Sequence, residues 1–208
     1  MNILNNKNFL GGTIMEAREF ARKWSGDELI CYDNEVLKKF HLSEKDRENL
    51  SQYGLPESAA PYLNFENIDM QNIENLEEGY FYLGYTGNGD WICININSGK
   101  ILIIAHEMYD YEDEYEEDQD DESDTYQEDD DCEDYDYEGY TLVNSSLEAF
   151  YEFILKYEEL MQKKFEEGTE EFRKNVEILK ETFISIDNEA MKREDCFWNE
   201  EIDNLLYG

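Results

Sequence analysis

At 208 residues, with 40 % hydrophobic and 14 % aromatic content, the chain can bury a core and is too rich in aromatics to be wholly disordered. Its formal net charge of −36, from 17 Lys and Arg against 53 Asp and Glu, argues against direct binding to nucleic acid or to an anionic membrane surface, since both need clustered cations. No stretch approaches the roughly 18 apolar residues that span a bilayer, and the N-terminal segment lacks a basic region leading into an apolar one. The expectation is a soluble, cytoplasmic protein.

Thr13 and Glu16 stand at capping-box spacing, and a helix from about 14 to 23 follows with Phe20 and Trp24 on one face. "ELICY" is a short candidate strand. "DNEVLKKFHL" and "SEKDRENLSQYGLP" read as two short helices. The second is opened by a Ser43 cap and stopped where Gly54 permits a left-handed residue and Pro56 forbids continuation. From Tyr62 the period changes. Strands at 81–85, 91–95 and 101–105, joined by turns at 86–90 and 97–99, form an antiparallel meander. "WICINI" and "KILIIA" alternate poorly, which predicts a sheet at least partly covered on both faces, with helices packed largely on one of them.

Strand character returns at 140–143. Ser145 and Glu148 repeat the capping-box spacing, and Phe150, Phe153, Ile154, Tyr157, Leu160 and Met161 form the apolar stripe of a long helix that Gly168 is expected to end. A further helix carries Phe172, Val176, Leu179 and Phe183, and a last one carries Phe197, Trp198, Ile202 and Leu205. The fold class is therefore α+β: an antiparallel or mixed sheet of at least four strands, with helices before and after it, in a single domain over 1–208.

Between 105 and 140 lies an acidic run. Residues 110–138 hold 19 Asp and Glu among 29 residues and no Lys or Arg, about half of the net charge. Like charges this dense read as a solvated, disordered insertion; a surface for a basic partner is the alternative reading. Asp120, Asp121, Asp129, Asp130 and Asp131, with Tyr126 and Tyr135 as aromatic anchors, are the candidate partner-binding residues. An EF-hand register starting at Asp118 fails, with Ser123 where the turn wants Gly and Asp129 where a bidentate Glu is expected.

Catalytic chemistry does not assemble. His41 and His106 stand apart from any nucleophile, and "GYTGNG" satisfies no phosphate-loop pattern and reads as a hairpin turn. Cys31, Cys93, Cys132 and Cys196 show no metal or redox spacing, so reduced and mostly buried thiols are expected. No catalytic residue, cofactor or metal is assigned.

Several segments together resemble the SUKH superfamily: Phe20 and Trp24, "YGLP", "YFYLGYTGNGDWICININSGKI" and "VNSSLEAFYEFILKY". The ending "SIDNEAMKREDCFWNEEIDNL" is similar to the SUKH-4 branch in particular. The resemblance covers about 13–206 and implies an α+β fold in which Trp24, Gly54, Leu55, Pro56, Gly84, Asn144, Ser145, Phe150 and Trp198 are fold-forming. For bacterial members it implies a non-enzymatic immunity protein whose partner is a cognate toxin domain, often a nuclease or another nucleic-acid-modifying enzyme. For eukaryotic relatives it implies an intracellular scaffold or regulator. The long acidic run departs from the usual family pattern.

Overall fold

The computed structural model describes residues 15–67, 78–105, 139–163, 165–166 and 168–208. Elements follow one another as α1 Ala17–Lys23, β1 Leu29–Ile30, α2 Asn34–Leu37, α3 Glu44–Gln52, β2 Leu55–Pro56, β3 Ser58–Ala59, β4 Leu63–Phe65, β5 Tyr80–Thr86, β6 Trp91–Asn95, β7 Ile101–Ile104, β8 Tyr140–Asn144, α4 Leu147–Met161, α5 Glu170–Ile186, the 3₁₀ turn Glu189–Met191 and α6 Phe197–Tyr207. The fold is α+β, as the periodicity predicts, and all its strand pairs are antiparallel. The main sheet has six strands in the order β3-β4-β5-β6-β7-β8, and β1 pairs with β2 separately. The four strands expected from sequence are β5 to β8.

β3 and β4 add an edge that the sequence reading missed. They are two and three residues long, and the stretch between them carries Pro61, so little alternation is left to detect. Gly54 has φ +67, and a Cβ there would lie 2.1 Å from the Ile30 carbonyl oxygen. It therefore does more than end α3, because its bare backbone also admits β1 alongside. The α3 cap is as expected, Ser43 accepting from the Asp46 amide at 3.0 Å. The turn at 86–90 is the expected hairpin, closed by Thr86 N donating to Asp90 O at 2.8 Å.

Four helix boundaries differ from expectation. α1 begins at Ala17, with Glu16 as its extended N-cap and no side-chain cap bond; Thr13 lies outside the described residues. α4 is capped by Ser146, whose Oγ accepts from the Ala149 amide at 3.2 Å. Glu148 does not close a box with Ser145, because it is buried and accepts instead from Asn49 at 2.8 Å and Lys45 at 2.9 Å. α4 also stops at Met161; Gly168, at φ +77, precedes the Thr169 cap of α5. The stretch expected to be helical through Leu42 is helical only over Asn34–Leu37, and His41 sits exposed in the following turn.

The core lies on one face of the sheet, where Phe81, Leu83, Ile92, Ile94, Ile101, Ile103 and Val143 join the buried faces of the helices in one cluster. Aromatic rings fill the helical layer. Phe153 stacks on Phe183 at 3.8 Å, and Trp198 stands edge-on to Phe153, Phe183 and Phe197 at 5.6, 5.4 and 5.0 Å. The opposite face is partly covered, as expected. Among the described residues, Tyr82, Cys93 and Ile104 form a small second cluster with Tyr80, Trp91 and Tyr140 against it. Tyr80 and Tyr140 come from strands three places apart, yet their rings stack at 5.5 Å across this face.

Candidate partner-binding surface

The fold-forming residues come first, because they fix what the surface is built on. Leu55, Phe150 and Trp198 are fully buried. Gly84 lies at the register shift of β5, where a Cβ would meet the Asn64 carbonyl oxygen at 1.9 Å. Asn144 links three parts of the chain that the sequence keeps far apart. Its Oδ1 accepts from Trp198 Nε1 at 2.9 Å, and its Nδ2 donates to Asp187 Oδ2 at 3.2 Å. That oxygen also accepts from Ser145 N at 2.7 Å, and Asp187 Oδ1 accepts from Ala190 N at 3.3 Å. A buried carboxylate met by this many donors locks the end of β8 to the α5–α6 connection.

The proposed partner-binding residues Asp120, Asp121, Tyr126, Asp129, Asp130, Asp131 and Tyr135 lie outside the described residues, as do His106 and Cys132. What the structure fixes is the place where the acidic run leaves and rejoins the fold. Ala105 N donates to Gly139 O at 3.4 Å, one step beyond the β7–β8 ladder, so both ends of the run emerge side by side. The charge of this part of the chain is one-sided. Between Arg47 and Lys156 the only Lys or Arg is Lys100, and Lys100 Nζ already bonds Glu189 Oε1 at 2.5 Å.

A cleft of about 410 Å³ opens between the α1–β1 connection, the β3–β4 hairpin and α4. Trp24 forms one wall. Its Nε1 donates to the Asp27 carbonyl at 2.9 Å, and its ring lies on Gly26, where a Cβ would stand 2.7 Å from it. Tyr62, 41 % exposed, forms another wall and is held edge-on to Phe197 at 6.0 Å while its hydroxyl donates to Glu201. Burial and the Glu201 carboxylate both push the Tyr62 hydroxyl pKa up; burial likewise raises the Glu201 carboxyl above its ordinary range. The carboxylates of the cleft are Asp27, which accepts from Ser58 Oγ at 2.9 Å, and Glu158, which accepts from Gln162 Nε2 at 3.2 Å. Among the described residues, no Lys or Arg lines the cleft. Among the described residues neither carboxylate belongs to an ion pair. Sequence reasoning missed this site because its side chains come from three segments distant in the chain, around Trp24 and Asp27, Tyr62 and Glu158, with no local spacing to announce them.

Burial pushes the Cys93 and Cys196 thiols up, away from the reactive thiolate, while Cys31 is exposed, unlike the buried thiols expected. Among the described residues no group of three or more His, Cys, Asp or Glu is placed to hold a metal ion, and no helix is long and apolar enough to cross a membrane.

Searches of the curated proteins and of the solved structures found no match. A family model, that of the SUKH-4 immunity protein, matches residues 15–204 and so takes in both sheets and the six α-helices of the described residues, up to the last turn of α6. The chain belongs to the SUKH-4 immunity protein family.

Proposed function

We propose that the protein is a non-enzymatic, cytoplasmic immunity protein that binds a basic cognate toxin domain, a nuclease or another nucleic-acid-targeting enzyme of bacterial origin, and blocks it with carboxylates. Family membership implies a toxin partner. The observation that supports its basic character is the charge distribution: −36 overall, with one cation between Arg47 and Lys156 and 19 acids within 110–138. An enzyme acting on nucleic acid presents a cationic cleft to phosphates, and a polyanionic inhibitor competes for that same field and speeds its own encounter with it. Asp120, Asp121, Asp129, Asp130 and Asp131, with Tyr126 and Tyr135, are the residues proposed to meet the toxin.

The test is co-expression with the C-terminal region of the neighbouring open reading frame, scored for growth rescue and co-purification. Rescue, with an association rate that falls steeply as salt rises, is the expected result, since exposed charges are screened within about 8 Å at physiological ionic strength. Rescue with a salt-insensitive rate removes the basic character of the partner. Absence of both rescue and co-purification removes the toxin assignment for that reading frame.

A further inference from the structure

We infer that the cleft between Trp24, Asp27, Tyr62 and Glu158 receives an arginine side chain of the toxin; this deepens the reading above and rests on it for the identity of the partner. The cleft joins the two features that recognise an organic cation, aromatic faces and carboxylates without a counter-ion. A cation over an indole face is attracted by the ring's quadrupole, and Trp is the most effective ring for this. Trp24 is ready for it, because its bond to the Asp27 carbonyl and its seat on Gly26 fix the ring before any ligand arrives. Tyr62 is anchored at its hydroxyl by Glu201 and at its ring by Phe197, so neither wall has rotamer freedom to lose on binding.

Asp27 and Glu158 supply the charge from two different segments, and among the described residues no Lys or Arg lines the cleft to neutralise them. The shape favours arginine over lysine. A planar guanidinium can stack on Trp24 while its forked donors reach the carboxylates, and it gives up its hydration more readily than an ammonium does. A bare metal ion is a poor occupant, since most of the lining is aromatic, aliphatic or amide. Unlike the acidic run, which attracts any polycation, this site discriminates by geometry.

The probe is N-acetyl-arginine amide, a single positive charge, titrated into the full-length protein while the indole N–H resonances of the three tryptophans are followed by NMR. A saturable millimolar shift at Trp24 is expected, smaller with N-acetyl-lysine amide and abolished in the double variant Asp27→Asn/Glu158→Gln. A Trp24 resonance that does not move, or that moves equally in the double variant, overturns the site. Equal shifts with the lysine amide overturn its preference for arginine. With a rescuing toxin in hand, the double variant should bind at least about tenfold more weakly at an unchanged melting temperature. Equal binding overturns the cleft as a toxin contact and leaves the immunity reading standing. Failure of the wild type both to rescue and to co-purify removes the toxin assignment for that reading frame instead, and the arginine titration then decides the cleft alone.

Discussion

Gly54 and Glu201 show how far single positions depend on what surrounds them. At Gly54 the positive φ and the 2.1 Å approach of a hypothetical Cβ to the Ile30 carbonyl act together, so relaxing one does not relieve the other. Gly54→Ala should lower unfolding free energy by about 3 kcal/mol or more, read from denaturant midpoints. Glu201 is buried and its carboxyl pKa is raised, chiefly by burial and further by Glu200, against the lowering bond from Tyr62. The folded state therefore holds this proton more tightly than the unfolded chain does. Its contribution to stability is greatest below the unfolded carboxyl range and is lost as pH rises through the raised folded value. Glu201→Gln keeps the acceptor for Tyr62 and removes the ionisation. It should melt higher than wild type at pH 7, and the difference should vanish as pH falls below the unfolded carboxyl range. A difference independent of pH would show that the carboxyl does not titrate as a buried acid.

Ser146 rather than Ser145 opens α4, and the reason shows what a sequence pattern can and cannot carry. The capping-box spacing at Ser145 and Glu148 is real as a spacing. Tertiary partners nonetheless claim both ends of it, Asp187 taking the Ser145 amide and Asn49 and Lys45 taking the Glu148 carboxylate. Ser146→Ala should cost about 1 kcal/mol, whereas Ser145→Ala should cost much less because its side chain caps nothing. The strands β5 to β8 and the stripes of α4, α5 and α6 were legible because each buries one face along its own length, a local property. β3 and β4 were not, being held by their neighbours rather than by their own pattern. The same contrast separates the two candidate surfaces. The acidic run is visible as composition, whereas Trp24, Asp27, Tyr62 and Glu158 meet only after folding.

The sheet of the SUKH-4 protein treats the acidic run as an insertion into a hairpin. Ala105 and Gly139 continue the β7–β8 ladder on either side of it, and the α5–α6 connection and Trp198 of α6 are tied back to β8 through Asn144 and Asp187. Replacing residues 106–138 by a short turn should therefore leave a single cooperative thermal transition, because shortening a loop changes its closure cost only logarithmically. Two transitions, or loss of folding, would show that the segment belongs to the core. The same variant bears on function: if the run meets the toxin, the deleted protein should associate more slowly at low salt, and the two versions should converge at high salt.

The order of the main sheet is also the order of the chain, and this has a kinetic consequence. Each strand from β3 to β8 adds beside the one just made, so most closures are short and the sheet is built by extension. The β7–β8 pairing is the exception, since it must close a loop holding 19 like charges within 110–138. In the unfolded chain those charges repel one another and hold the loop ends apart, placing an electrostatic barrier on the last strand of the sheet and on the helices that dock behind it. Added salt screens that repulsion. The refolding rate of the wild type should therefore rise with ionic strength in stopped-flow measurements, and the rate of the 106–138 deletion should respond much less. The charge that speeds the search for a basic partner would then be the same charge that delays completion of the fold.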